Sequence, residues 1–224
     1  NAAPFLRHLA IARAEACIAP LQSQNSAGLK AALLEVLGVT ATGLDPDGLM
    51  AVGTRLDNEH AVIEYLVKRG YPQSWLQQLI PDRFTTVDQQ VRCKAARTPL
   101  YAGTKAMLQR LCCSPLKLAI LSSDNSANVE EFLRYYGLDE YFDAWQGTDA
   151  GDLPKPDASL MVKLCAKLGV PLSRTVIIGD SWVDQKLAET ANVAGFISVS
   201  DAWGRLPVPG ARMVLRQWDD LQLS

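Results

Sequence analysis

The 224-residue chain carries 22 Lys and Arg against 24 Asp and Glu, a formal charge of −2, with a pI near 5.7 and a mean hydropathy of +0.02. That balance leaves no electrostatic footprint for nucleic acid or an anionic membrane, and no apolar run approaches the roughly 18 residues that span a bilayer. Composition therefore predicts a soluble globular protein with one large domain or a core plus a smaller one. The first residues lack a basic region followed by an apolar stretch and a cleavage site, so a cytoplasmic location is expected. Five scattered cysteines, Cys17, Cys93, Cys112, Cys113 and Cys165, form no C-x-x-C pair, which favours reduced, buried thiols over a zinc or redox centre. His8 and His60 fall in helical or exposed polar settings and read as structural or surface groups.

Residues 3 to 19 (APFLRHLAIARAEACIA) place apolar side chains at helical spacing. From Ala27 to about Ala96 the pattern stays helical. LKAALLEVLG stops at Gly38, NEHAVIEYLVKRG stops at Gly70, and PQSWLQQLI and TTVDQQVRCKAA follow. No alternating or β-branched strand is expected there, so the region reads as a small helical domain ending near Arg97, Thr98 and Pro99.

Beyond Pro99 strands alternate with helices. TKAMLQRLCC predicts a helix, KLAIL a strand, NVEEFLRYYG a helix stopped by Gly137, and DASLMVKLCAKLG a helix stopped by Gly169. TVIIG then predicts a strand, VDQKLAETANV a helix, GFISVS a strand and MVLRQ a weak last strand. This alternation implies an α/β fold, a mostly parallel, Rossmann-like sheet with helices on both faces.

Three polar groups stand just beyond runs of this region. Ser122 ends LAILSS, Lys155 lies between the prolines of DLPKPD, and Asp180 and Asp184 close TVIIGDSWVD. Polar groups outside the carboxyl ends of parallel strands are how open α/β sheets build sites. If a helix starts near Ser181, a separation of four brings both carboxylates to its first turn, which suits a hard divalent cation. Asp180 could equally cap that helix, Ser122 could serve an ordinary turn, and Lys155 alone could be a solvated loop lysine. Taken together, a hydroxyl, an ammonium and a carboxylate pair make a receptor for a phosphoryl group, whose transfer needs positive charge and donors around its oxygens.

In order and spacing these segments resemble the haloacid dehalogenase superfamily, in the phosphatase branch that includes phosphoglycolate phosphatase-like and β-phosphoglucomutase-like proteins. LAILSS resembles the second motif, DLPKPD the third and GDSWVD the fourth. TPLYAGTKAMLQRL looks like the segment that returns from a cap domain to the core. The resemblance implies residues 1–14 in the core, a helical cap over 15–96 and an α/β core over 97–224. It gives Ser122 and Lys155 catalytic roles on the transferring phosphoryl, makes Asp180 and Asp184 the magnesium site, and leaves Ser123 and Arg55 as substrate-binding candidates. Arg55 could instead pair with Asp57 or Glu59 at the surface. The tryptophans Trp75, Trp145, Trp203 and Trp218 read as packing, whereas Trp182 lies between the two motif aspartates and could edge the site.

The family's first motif, a strand ending in D-x-D-G that carries the nucleophilic aspartate, is expected ahead of Asn1. Asp45 and Asp47 do form a D-x-D-G string, but no apolar strand precedes it, and it is not taken as that motif. The implied activity is magnesium-dependent hydrolysis of a small phosphate monoester through an aspartyl-phosphate, with turnover not expected from these residues alone. The expected partner is a small phosphorylated metabolite, with no nucleic acid and no membrane, acting on a monomer or homodimer. A non-catalytic binding relative and a sugar phosphomutase are the alternatives.

Overall fold

Apolar spacing in the first hundred residues does produce helices. The computed structural model describes residues 2–21, 25–91, 93–201 and 204–222, in two units, Ala2–Thr98 and Pro99–Ser224. In the first unit, α1 (Ala3–Ile18), α2 (Ser26–Val36), α3 (Leu49–Val52), α4 (Arg55–Val67) and α5 (Gln73–Gln90) surround one core. Leu33, Leu66, Leu76, Ile80 and Phe84 are fully buried in it. Helix α1 contributes Phe5, Leu9 and Ala10 to this core as well as Ala14 and Cys17, so it packs into the helical unit along its length and does not divide at residue 14. Thr54 starts α4 with a capping box, its hydroxyl accepting from Asp57 N and Asp57 Oδ2 accepting from Thr54 N.

Two details depart from the expected pattern. A short antiparallel hairpin, β1 (Val39–Thr40) and β2 (Gly43–Leu44), follows α2 in a region read as strandless. The segments read as separate helices on either side of Pro81 are one continuous α5. Proline removes one helical donor, but Ile80, Phe84 and Val87 stay buried on one face and carry the helix past it. Arg92, within the last of those segments, lies outside the described residues.

The second unit alternates strands and helices, with one strand, β4, that the sequence pattern did not predict: α6 (Thr104–Cys112), β3 (Ala119–Leu121), α7 (Ser126–Tyr136), β4 (Ala144–Gln146), α8 (Ser159–Leu168), β5 (Val176–Gly179), α9 (Trp182–Thr190), β6 (Gly195–Val199) and β7 (Met213–Leu215). Strands pair in two parallel ladders, β3 with β4 and β5 with β6 and β7. Successive strand residues point to opposite faces, and each face is covered. Ile120 joins α6 and α7 in one cluster, while Leu121 joins α8 and α9 in another. Helices α7 and α8 end at Gly137 and Gly169, both in the left-handed conformation that a glycine adopts without a Cβ penalty.

All five cysteines are free. Cys17 and Cys165 are buried, but Cys93, Cys112 and Cys113 are exposed, contrary to the expectation of buried thiols. His8 and His60 are both exposed. Among the described residues no helix is long and apolar enough to cross a membrane.

Candidate active site at the end of strand β5

The apolar run of β5 ends at Gly179, and the chain turns at once into α9. Ser181 is the N-cap of that helix: its hydroxyl accepts from Asp184 N and donates to Asp184 Oδ2 at 2.6 Å. Asp184 thus sits in the first turn, where the helix dipole favours an anion. Its carboxylate lies back against the end of β5. A Cβ on Gly179 would stand 2.6 to 2.7 Å from Asp184 Cβ, Cγ and Oδ2, so the glycine before Asp180 is required by the position of the second aspartate.

Lys155 reaches the same carboxylate. Its Nζ donates to Asp184 Oδ1 at 2.8 Å, with the two side chains only 11% and 12% exposed. Burial pushes the Asp184 carboxyl up, but the Lys155 charge, the hydrogen bond from Lys155 and the two Ser181 bonds outweigh it and hold the group below its ordinary value. The lysine's loop is tied to the helix that bears its partner, because Thr190 Oγ1, at the end of α9, donates to Pro156 O at 2.6 Å.

Asp180 is more open, with its side chain 40% exposed, and its Oδ2 forms an ion pair with Arg205 Nε at 2.7 Å. Tyr101 is close enough to sense both: burial first, then the Asp180 charge, push its phenol up, while Arg205 pulls it down. Neither Arg205 nor Tyr101 was singled out by sequence. A tyrosine in the TPLYAG segment and an arginine in the loop after β6 carry no local pattern that would mark them.

Ser122 continues the β3–β4 ladder, its N donating to Gln146 O at 2.9 Å, while Thr148 Oγ1 donates to its carbonyl. Its hydroxyl accepts from Asp124 N at 3.1 Å, and a hydroxyl that accepts one bond can still donate another. Ser123 follows in the same loop. Arg55 lies in the helical unit, where its guanidinium binds Glu59 Oε1 at 2.7 Å, Thr85 Oγ1 at 2.8 Å, Pro81 O at 3.0 Å and Asp88 Oδ2 at 3.2 Å. Asp88 also takes Arg13 at 2.8 Å. Glu59 is thus one of the two partners that the sequence offered for Arg55. Trp182 is half exposed beside the aspartates, Trp145 and Trp218 pack in the core of the α/β unit, and Trp75 is partly exposed. Trp203 lies outside the described residues.

For a divalent cation the donor chemistry is suitable but incomplete. Asp180 and Asp184 offer hard oxygen ligands, yet among the described residues no group of three or more His, Cys, Asp or Glu side chains is placed to hold a metal. Asp180, the more open of the two, fits as a direct ligand. Asp184 is already engaged by Lys155 and Ser181, and it fits as a support.

The sequence profile of the family described as "Haloacid dehalogenase-like hydrolase" matches residues 60–197, more than half of the chain. The chain belongs to the haloacid dehalogenase-like hydrolase family. Within that family it is 29% identical over 139 residues to the phosphoglycolate phosphatase of Synechococcus elongatus, covering 62% of this chain and 61% of that protein. The first curated relatives it matches are spanned over only 39% to 49% of their length. Among solved structures, a predicted phosphoglycolate phosphatase from Haemophilus somnus 129PT superposes with a TM-score of 0.65 at 17% identity, over 96% of this chain and 89% of that one. CbbY from Rhodobacter sphaeroides, solved in complex with phosphate, superposes with a TM-score of 0.55 at 18% identity, over 96% of this chain and 88% of that one. At these identities the superpositions establish the fold, a haloacid dehalogenase-like hydrolase fold.

Proposed function

We propose that this chain is the body of a magnesium-dependent phosphatase that hydrolyses a small phosphate monoester through an aspartyl-phosphate. The observation that carries the reading is Lys155, a nearly buried ammonium held at the end of β5 by Asp184 in a member of a hydrolase family. An ammonium fixed in advance stabilises phosphoryl oxygens without reorganising as the reaction proceeds. Phosphoglycolate phosphatases among the relatives, and a phosphate-bound fold neighbour, support the same chemistry.

In this reading Ser122 donates its hydroxyl proton to a phosphoryl oxygen, and Lys155 faces the oxygens of the transferring group. Asp184 keeps Lys155 in place, and Asp180 would hold a magnesium ion, which when bound would neutralise phosphoryl charge. The nucleophile is an aspartate outside these residues, the first-motif aspartate that the resemblance implies. Asp45 and Asp47 are not taken as that nucleophile, because they follow a two-residue hairpin strand, β2, and not a longer apolar strand, and Asp45 Oδ1 accepts from Asp47 N.

The test is phosphate release from a panel of small phosphate monoesters by the full-length protein, with and without a chelator. Activity should need magnesium and fall at least about 100-fold in Asp180→Asn and in Lys155→Ala, the scale of removing one charge-stabilising group. Hydrolysis indifferent to the chelator, or to Asp180→Asn, would overturn the reading.

A further inference from the structure

The more exposed of the two motif carboxylates is already paired with a cation of the protein itself. Arg205 Nε forms an ion pair with Asp180 Oδ2 at 2.7 Å, with the arginine side chain only 22% exposed. The loop that presents it is anchored on both sides of the arginine. Asp201 N donates to Arg205 O at 3.0 Å and Gly204 N to Asp201 O at 2.7 Å, while Val208 N donates to the buried Ser198 Oγ at 2.9 Å. Tyr101 lies within the field of both partners. The pair is therefore built by the α/β unit and is not a chance meeting of two mobile surface chains.

We infer that Arg205 is an internal counter-ion which a divalent cation must displace from Asp180, so that this arginine sets the metal affinity of the site. The inference rests on the metal reading above and deepens it. A guanidinium holds a carboxylate most firmly through two parallel, directed N–H bonds, and Arg205 meets Asp180 as an ion pair at Oδ2. A hard dication takes the same oxygen with a larger charge and no directional demand. Because the Asp184 carboxylate is held by Lys155, exchange at the β5 end is confined to Asp180. Arg205 thereby occupies the ligand oxygen and raises the cation concentration needed to fill the site.

Mn2+ is the probe, since it is a hard dication whose free fraction is read directly by electron paramagnetic resonance. The full-length protein is titrated as wild type, Arg205→Gln, Arg205→Ala, Arg205→Lys and Asp180→Asn, with folding checked by circular dichroism. Mn2+ binding should disappear in Asp180→Asn and tighten about three- to fivefold in both Arg205→Gln and Arg205→Ala, the size set by losing one partly screened ion pair. Arg205→Lys, which keeps the charge, should stay within about twofold of wild type. Asp180-dependent binding of equal or weaker affinity in folded Arg205→Gln and Arg205→Ala would overturn the role of Arg205 and leave the metal reading standing. Mn2+ binding that persists unchanged in Asp180→Asn would overturn both.

Discussion

Replacing Lys155 with methionine keeps the length and apolar stem of the side chain and removes only its charge. Asp184 is then left as a carboxylate 12% exposed, without the ammonium now 2.8 Å away. Removing one partner of a fully buried pair costs about 3–5 kcal/mol. Here the bond from Ser181 Oγ to the Asp184 carboxylate remains, so a loss of about 2–3 kcal/mol at pH 7 is expected. The pH dependence gives the stronger test. Asp184 is held below its ordinary value of 3.8 in the folded protein, so its contribution is present above the unfolded value and disappears as pH falls through the folded one. In Lys155→Met burial acts unopposed by the lysine, and the carboxyl takes up a proton at a higher pH than in wild type. The gap between variant and wild type should therefore be widest near pH 7 and shrink as the pH falls toward 4. Urea unfolding, followed through Trp145 and Trp218 of the α/β unit, reads this gap. Adding Asp184→Asn to Lys155→Met should recover part of the loss, with a coupling energy of about 1–2 kcal/mol. A variant as stable as wild type at pH 7, or a loss that is the same at both ends of the pH range and uncoupled to Asp184, would refute the argument.

Gly179→Ala forces a methyl into the space held by the Asp184 carboxyl, at 2.6 to 2.7 Å. Urea unfolding should show a loss of about 1–3 kcal/mol, the cost of overpacking, and a normal midpoint would mean that the end of β5 is looser than its geometry implies. Thr190→Val removes the bond that ties the Lys155 loop to α9. Stability should fall by only about 1 kcal/mol, while any phosphate-ester turnover by the full-length protein should fall several-fold. An unchanged rate would show that the prolines flanking Lys155 hold the loop by themselves.

What the sequence revealed and what it concealed divide along the range of the forces involved. The helix stops at Gly137 and Gly169 and the turn from β5 into α9 depend on residues within a few positions of one another, and local patterns mark them. Strand β4 does not have that advantage. Its three residues, Ala144 to Gln146, form no apolar run, and they become a strand because Ala119, Ile120 and Leu121 offer a parallel partner. Pro81 shows the opposite failure: a local breaker is overruled by the burial of Ile80 and Phe84 on either side of it. The partners of Arg55 at Thr85 and Asp88 lie on another helix, so only Glu59, one turn along the same helix, could be named beforehand. Arg205 stayed hidden for the same reason, since its target is set by how the loop after β6 folds back toward β5.

These long-range pairs change how the charge of the site is understood. Read from its motifs, the end of β5 is an acidic place with one lysine nearby. In the folded unit each carboxylate has its own cation, Lys155 for Asp184 and Arg205 for Asp180, and the two pairs together carry no net charge. A phosphate dianion approaching that arrangement meets little net attraction, because every positive group already faces a negative one. On the proposed exchange, a dication at Asp180 would alter this balance, since it would add two positive charges and free Arg205 from the carboxylate. The four side chains and the ion would then carry a charge equal and opposite to that of the phosphate. On this argument metal should promote phosphate binding, and by linkage phosphate should tighten metal binding by the same factor.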